Sequence, residues 1–348
     1  MAIAVGFFFS GTHLYRNHKP GGSPLTRIGQ VLVASFRKYH VEVPADEEWL
    51  YETADAELAI SGSHKLEHTN DLRFFDKAAV KMESDHRNGS LDSWRLCTVT
   101  QVEELKAIIR LLPVWATGII FATVYSQMST LFVLQGLTMH TKIGNRGFDI
   151  PEASLSIFDT LSVLFWVPVY DRLIVPAARR LTGHKNGITL LQRMGIGLFI
   201  SVFSMISAGI LELRRLRYVE RHNYYEVKKI DMSIFWQVPQ YFIIGCAEVF
   251  FFVGNLEFFY DQAPNPLKSL SSALQLTTIS LGSYLSTLLV TIVTKISTRH
   301  GELGWIPNNL NYGHLHYFYW LLAGLSALNL LVFVMVAKWY VYKKPLRR

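Results

Sequence analysis

The chain has 348 residues, 50% of them hydrophobic, and a formal net charge of +7. Its basic residues are spread over the polar connections and form no single patch interleaved with aromatic side chains, which argues against a nucleic-acid-binding protein. Cys97 lies in a polar segment and Cys246 inside an apolar one, so a disulfide framework is not expected. Charges are dense before Arg110 and sparse in later windows, and this distribution indicates membrane topology.

The first third of the chain combines short apolar segments with long polar ones. Residues 1–14 are too short to cross a bilayer and lack the basic start of a signal peptide, so we expect the tail of a truncated transmembrane helix. Apolar residues at helical spacing within 24–38 predict a short amphipathic helix on the membrane surface. We interpret the whole of 15–107 as a cytosolic central linker, polar and partly disordered after residue 41.

Six hydrophobic windows follow, and each is long enough for a transmembrane helix, which needs about 20 predominantly apolar residues. None of them has the alternation of a strand. The sequence therefore predicts an all-α membrane protein with a six-helix transmembrane bundle over 108–342 and a short cytosolic tail over 343–348. The windows are 108–137, 153–177, 188–212, 235–260, 270–294 and 317–341.

The distribution of Lys and Arg predicts the orientation of the bundle. The connections on its two sides carry nearly equal numbers of basic residues, and those of the linker shift the balance toward a cytosolic linker. We therefore predict that the linker and the carboxy terminus share the cytosolic side. The basic segment 214–229 then lies on the opposite side, against the positive-inside rule.

Glu248 is the strongest candidate for a functional side chain. It lies twelve residues from both Trp236 and Tyr260, aromatic residues of the kind found at the two membrane interfaces, which places it near the bilayer midplane. An acid at that depth is costly unless it faces protein or water. At 100° per residue it shares a face with Asn255 and with three aromatic side chains, which is typical of a site for a polar ligand with apolar parts. A structural ion pair inside the bundle is the alternative. The aromatic members of this face are Tyr241, Phe252 and Phe259.

Two other windows carry polar residues at the same depth. In the first window Tyr125 and Gln127 are candidates for lining a site, and polar contacts between helices are the alternative. In the fifth window a stripe of small or polar residues recurs every three or four positions, which favours close helix packing. Gln275 is too large for packing alone and is the better lining candidate. The stripe consists of Ser271, Gln275, Thr278, Gly282 and Ser286.

Charged residues at one end of the second window suggest a gate. Asp171-Arg172 and Arg179-Arg180 close that window, and Arg193 opens the next. Acids beside bases at helix ends can join two helices through charge-assisted hydrogen bonds. We interpret this charged group as a structural gate and not as a ligand site. Asp159 lies in the same window, toward its outer end.

Signals for enzymatic chemistry are weak. Gly21-Gly22-Ser23 lacks the Lys and the spacing of a phosphate-binding loop, and His314 and His316 form only an isolated H-x-H pair. No nucleophile elbow and no zinc-type Cys pairing occurs in the sequence. We expect neither an enzyme nor a metal or other cofactor.

Three long segments are highly specific: VEELKAIIRLLPVWATGIIFATVYSQMSTLFVLQG, SLSIFDTLSVLFWVPVYDRLIVPAARR and MSIFWQVPQYFIIGCAEVFFFVGNLEFFYDQAP. With them the chain resembles the plant nitrate/peptide transporter family, which belongs to the proton-dependent oligopeptide transporters of the major facilitator superfamily. The resemblance covers nearly the whole chain and is strongest to the branch that transports di- and tripeptides.

This resemblance implies the carboxy-terminal half of a major facilitator fold, with a partial preceding helix, a cytosolic linker and helices seven to twelve. It implies that Glu248 meets the amino terminus of the peptide and that Tyr125 replaces a histidine of a nitrate-binding member, which weakens a nitrate reading. By resemblance, Asp171, Arg172, Arg179 and Arg180 are a degenerate second copy of the cytosolic gating motif. The first-helix E-x-x-E-R motif for proton coupling has no counterpart here.

The sequence therefore favours a di/tripeptide:proton symporter of this family, incomplete and not competent alone because alternating access needs two halves around a midplane site. Its expected partners are a small peptide, protons, the lipid bilayer and either the missing amino-terminal half or a full-length relative. The expected location is the plasma membrane or the vacuolar membrane. The alternatives are a transporter of nitrate or another small solute and a non-transporting half-protein that modulates a full-length relative.

Overall fold

A computed structural model of the chain describes residues 2–14, 23–44, 46, 49–53, 65–82, 85–87, 90–143, 148–183, 187–301 and 303–342. The described chain is almost entirely helical, with two short hairpins. It divides into two compact units, one formed mainly by the residues before Ile108 and the other by the residues after it. The predicted tail over 343–348 lies outside the described residues.

The first unit contains α1 (Ala2–Ser10), α2 (Pro24–Arg37), a 3-10 helix (Arg73–Ala79) and the hairpin of β1 (His86–Arg87) and β2 (Ser90–Leu91). The predicted helix over 24–38 is present as α2, and it begins at Pro24, whose fixed φ suits a first helical turn.

The described part of the linker is more ordered than its polar sequence predicts. Val31 and Ala34 of α2 are buried, and the Ser35 hydroxyl donates a hydrogen bond to the carbonyl of Phe75 at 3.3 Å. The Nζ atom of Lys38 lies 2.8 Å from the carboxylate of Asp85 in a buried ion pair. These residues pack through polar contacts distant in sequence, and such contacts leave no hydrophobic period.

Cys97 and Cys246 are both buried free thiols. Burial raises the pKa of Cys97 from its ordinary 9.0 to about 12, because the thiolate would lose its hydration there. We therefore expect this thiol to react slowly at neutral pH.

The chain has six helical segments of membrane-spanning length in its described residues, one at each predicted window. All of them belong to the second unit except for the starts of the first and the fifth, residues 99–107 and 265–267, which belong to the first unit. Their helices are α3 (Val99–Tyr125) with α4 (Leu131–Gly136), α5 (Ile157–Val169) with α6 (Val175–Thr182), α7 (Leu190–His222), α8 (Val238–Gln262), α9 (Lys268–Ser297) and α10 (Leu315–Trp339). The connection after α4 carries the second hairpin, β3 (Lys142–Ile143) with β4 (Phe148–Asp149).

Two of the spans are interrupted. The first changes from α3 to a 3-10 turn at Ser126–Ser129 and resumes as α4, so a constant 100° step does not carry across it. The second contains a π-turn at Tyr170–Ile174 between α5 and α6, and α6 ends at Gly183, which adopts the left-handed conformation with φ of 70°.

The helix α7 extends ten residues beyond the end of its predicted window. It begins with a capping box, in which Thr189 and Gln192 each accept a hydrogen bond from the other's backbone N–H, and it ends at the left-handed Asn223. Its 33 residues give a length of about 50 Å, more than the roughly 30 Å of a hydrocarbon core. Much of the basic segment predicted as a loop over 214–229 is therefore helical.

The helix α8 lies at the centre of the unit, packed against α5, α7 and α9, while α10 packs on α7. Gly197 of α7 permits a close approach, because a Cβ atom there would lie 2.6 Å from the backbone nitrogen of Phe251. The side chains of Trp236 and Tyr260 at the two ends of α8 are exposed, as expected for interfacial aromatic residues.

Candidate functional site

The candidate site is centred on Glu248 in the middle of α8. The Tyr125 hydroxyl, at the last residue of α3, donates a hydrogen bond to Oε2 of Glu248 at 3.1 Å. The ring of Phe252 lies edge-on to the Tyr125 ring with centroids 5.1 Å apart, and it contacts Phe121 in the same way. The acid is therefore held by one phenol beside an aromatic wall, which keeps its orientation defined.

Asp159 of α5 lies beside Glu248, a contact that the sequence did not predict. Its side chain is only 6% exposed, and its carboxyl group lies beside that of Glu248. Its Oδ1 atom is buried and accepts no hydrogen bond from the described residues. The position of Asp159 in its own window could not reveal that it lies near Glu248, because this contact depends on where α5 crosses α8.

The crossing of α5 and α8 is close because Gly245 has no side chain. A Cβ atom at Gly245 would lie 2.7 Å from the carbonyl oxygen of Asp159 and 2.9 Å from its Oδ1. One turn along α5, the Ser162 hydroxyl donates a hydrogen bond to the carbonyl of Phe242 at 2.6 Å. The small residues at this crossing bring the two carboxyl groups together.

The other predicted lining residues are buried but contact Glu248 less directly. Asn255, two turns further along α8, and Gln275 on α9 are both buried, and neither makes a hydrogen bond to another described residue. Gln127 is fully buried and its amide donates to the Ser286 hydroxyl of α9 at 2.8 Å and to the carbonyl of Thr123 at 2.7 Å. In this arrangement Gln127 joins two helices.

The stripe predicted for close packing on α9 is the buried face of that helix. A Cβ atom at Gly282 would overlap the side chain of Ala122 on α3, and the Thr123 hydroxyl donates to the carbonyl of Gly282 at 3.2 Å. The prediction of close helix packing is confirmed, and Gln275 is part of this same face.

The aromatic members of the predicted face follow the expected arrangement in part. Tyr241 and Phe259 are buried, whereas Phe252 is half-buried beside Tyr125. The Tyr241 hydroxyl donates to the carbonyl of Met128 at 3.3 Å. Tyr241 therefore supports the 3-10 turn that follows Tyr125.

The four predicted gating residues lie together at one end of the second span. Asp171 and Arg172 occupy the π-turn, and Arg179 and Arg180 occupy the last turn of α6. All four side chains are exposed, and none forms an ion pair with another residue in the described ranges. A gating role for them stays a prediction.

The ion pair near that end of the bundle is made by Arg193. Its Nη1 lies 3.4 Å from a carboxylate oxygen of Glu257, and its Nη2 donates to the carbonyl of Val249 at 3.1 Å. Its guanidinium also lies 4.1 Å from the centroid of the Tyr170 ring. This arginine joins α7 to α8 and to the π-turn.

A second buried acid, Glu212 of α7, was not anticipated. Glu212 and Arg215 are both 0% exposed, and Arg215 donates to the two carboxylate oxygens from Nε at 2.9 Å and from Nη2 at 2.6 Å. Gln135 donates to the same carboxylate at 2.7 Å, and Asn311 accepts from Arg215 at 2.7 Å. The sequence signal for this pair is the spacing of three residues between Glu212 and Arg215, which places them on one helix face. It was missed because Arg215 was assigned to a loop.

A third charged cluster lies in the first unit. Lys106 Nζ is 2.7 Å from Oδ1 of Asp76 and 2.9 Å from Oε1 of Glu103, and His68 lies 3.2 Å from Asp76. Burial raises the pKa of Asp76, and Lys106 opposes that shift. The two carboxylates and the histidine are close enough to hold a metal ion, but the lysine ammonium already neutralises both acids. We interpret the cluster as structural.

Comparisons with a family profile and with individual relatives identify the same family. A profile described as the POT family, PTR2, matches residues 1–306. The protein named NRT1/PTR FAMILY 8.2 from Arabidopsis thaliana is 66% identical over 339 residues, which cover 97% of this chain and 59% of the relative. NRT1/PTR FAMILY 8.1 from the same organism is 63% identical and covers 100% of this chain and 61% of its own length. The chain thus spans about three-fifths of the length of these curated relatives.

Two solved structures share the fold. One is described as an auto-inhibited POT family peptide transporter and matches with a TM-score of 0.57 and 21% identity over 71% of this chain and 44% of that one. The other, the POT family transporter PepTSo, matches with a TM-score of 0.53 and 24% identity over 69% of this chain and 43% of that one. The predicted all-α architecture with six spans of a transporter half and the predicted family resemblance are confirmed.

Proposed function

The chain belongs to the POT family of membrane transporters, which are not enzymes, and from this premise we propose that it is the carboxy-terminal half of a proton-coupled transporter of di- and tripeptides. In this proposal Glu248 binds the peptide ammonium, and Tyr125, Gln127, Asn255 and Gln275 belong to the lining. Asp171, Arg172, Arg179 and Arg180 form the gate at the cytosolic end. The protein resides in the plasma membrane or the vacuolar membrane.

The observation that carries the proposal is a half-buried acid, Glu248, without a cationic partner. Within the described residues no Lys or Arg pairs with Glu248, and its neighbours are the hydroxyl of Tyr125 and a second acid, Asp159. An ionised carboxyl group inside a membrane protein is stabilised by a cationic partner or by water. A peptide ammonium is such a partner.

The same electrostatics separate the proposal from a nitrate transporter. A nitrate ion beside two carboxyl groups would experience like-charge repulsion, whereas a cationic group would be attracted. The peptide's own carboxylate would need a basic residue, and a midplane site between two halves allows the amino-terminal half to provide it.

The test uses the chain co-produced with the amino-terminal half of NRT1/PTR FAMILY 8.2 from Arabidopsis thaliana, with uptake of a free dipeptide compared with its N-acetylated form. We expect no uptake by the chain alone and uptake of the free dipeptide by the assembled pair. Glu248→Gln should reduce the affinity for the free dipeptide on the order of a hundredfold, because losing one partner of a buried charge pair typically costs about 3–5 kcal/mol.

The matched control is Glu257→Gln, which removes a half-exposed acid of the same helix that pairs with Arg193. The N-acetylated dipeptide should lose much less affinity than the free one, since it never carried the ammonium. If Glu248→Gln leaves the preference between free and blocked peptides unchanged, Glu248 does not bind the amino terminus.

A further inference from the structure

Resting on the proposed function, we propose that Asp159 and Glu248 form a proton-binding site in which the two carboxyl groups share one proton. The pair would be the proton-carrying element of this half of the transporter. Asp159 thereby becomes a ligand-site residue that is separate from the gate.

The geometry of the two acids supports a shared proton. Asp159 faces α8 one turn before Glu248, where a Cβ atom at Gly245 would lie 2.9 Å from Oδ1 of Asp159, and two carboxyl groups side by side are stable together when one of them carries a proton and donates it to the other. Asp159 is 6% exposed and its Oδ1 atom receives no hydrogen bond from the described residues. The phenol of Tyr125 already donates to Oε2 of Glu248 at 3.1 Å.

The helices around the pair supply no competing charge. Tyr125 from α3 and Tyr241 from α8 are the other titratable groups that face it. On α7 no ionisable residue lies between Arg193 and Glu212, both of which are paired elsewhere. Between the lysines at the two ends of α9, the titratable residue is the exposed Tyr284. Two ionised carboxylates here would repel each other with no cation among the described residues to offset them.

A shared proton has a specific consequence for coupling. A pair of carboxyl groups that holds one proton still carries one negative charge. A peptide ammonium can therefore bind beside the proton without displacing it. Proton and substrate would occupy the site together, which is the requirement for symport and not for exchange.

The experiment uses the purified full 348-residue chain in lipid nanodiscs and measures the infrared C=O band of protonated carboxyl groups at neutral pH. We expect a band that both Asp159→Asn and Glu248→Gln abolish, since the new amide can donate a hydrogen bond to the remaining carboxylate and no proton is then needed. The variant Glu257→Gln should retain the band, and so should Tyr125→Phe, because the phenol donates to the pair without holding its proton.

Each result of the infrared experiment either supports the shared proton or contradicts it. Absence of the band in the unaltered chain overturns the proposal, and so does a band that survives Glu248→Gln, which would show that burial alone protonates Asp159. Loss of the band in Tyr125→Phe also overturns it. Size-exclusion profiles establish that each variant is folded, and Asp159→Glu, which keeps a carboxyl group, should retain the band if Asp159→Asn fails to fold. Because the measurement needs no transport, failure of peptide uptake with the band present refutes only the proposed function.

Discussion

Two acids lie inside the helical bundle, the fully buried Glu212 and the half-buried Glu248, and their surroundings are opposite. Glu212 receives two hydrogen bonds from Arg215 at 2.9 and 2.6 Å and one from Gln135 at 2.7 Å. Glu248 receives one hydrogen bond, from Tyr125 at 3.1 Å, and faces the acid Asp159. The first acid is neutralised within its own helix, whereas the second has no basic partner in the described chain.

The difference separates structure from function. A buried ion pair with all its hydrogen bonds made has no capacity for a further ligand, and removing one partner leaves an uncompensated charge. A half-buried acid beside another acid is costly as it stands, and a cation or a proton relieves that cost. Burial alone does not distinguish the roles of Glu212 and Glu248. The number of hydrogen bonds that each carboxylate receives does distinguish them.

The largest expected effect is the loss of stability when the buried ion pair of Glu212 and Arg215 is broken. Glu212→Gln should lower the stability by about 3–5 kcal/mol, because Arg215 is left buried without its counter-ion. The measurement is the thermal midpoint of the purified chain followed by fluorescence size-exclusion. Glu220→Gln, an exposed acid two turns further along α7, is the matched control and should behave like the unaltered chain.

Replacing both partners should then restore stability in part. The double variant Glu212→Leu with Arg215→Met removes the charges together, and well-packed apolar residues can substitute for a buried ion pair. A double variant that is as unstable as Glu212→Gln would contradict the assignment of the pair as a self-contained structural unit.

A smaller effect is expected where α5 crosses α8. Gly245→Ala places a Cβ atom 2.7 Å from the carbonyl oxygen of Asp159, so the helices must separate at a cost of about 1–3 kcal/mol. The thermal midpoint should fall, and the infrared band of the shared proton should weaken. Gly324→Ala on α10 is the control, since a Cβ atom there meets no other atom within 4 Å. Equal behaviour of the two variants would argue against a close crossing.

The smallest expected effect is that of Glu248→Gln on stability. The same acid-to-amide change that is severe at Glu212 should alter the stability by less than about 1 kcal/mol here, because no ion pair is broken and the new amide can donate a hydrogen bond to Asp159. The thermal midpoints of the two variants provide a direct comparison. A loss at Glu248 as large as that at Glu212 would mean that an unrecognised cation pairs with Glu248.

The sequence predicts the spans well because each depends on its own residues. A run of about 20 apolar residues is sufficient to predict a helix across a bilayer, and the spacing of small residues identifies the buried face of α9. The position of Glu248 between its interfacial aromatic residues is likewise a local property of α8. These features need no knowledge of how the helices cross.

The remaining features depend on crossings and on helix ends. Asp159 and Glu248 are on different helices, and their contact is set by the missing side chain of Gly245. Arg215 was assigned to a loop because the apolar window ends at residue 212, whereas the helix continues to His222. A polar helical extension has no hydropathy signal, so its buried ion pair becomes visible only in the folded chain.

The extension of α7 changes how an arginine-rich segment behaves toward trypsin. Arg214, Arg215, Arg217 and Arg221 lie on helical backbone, which does not fit a protease active site without local unfolding. The segment is also anchored from outside, because the Asn311 amide donates to the backbone carbonyls of Tyr224 and Val227 at 3.1 and 2.9 Å. From sequence alone this arginine-rich segment would be expected to be cleaved readily by trypsin. Its helical backbone and its contacts with Asn311 instead protect it.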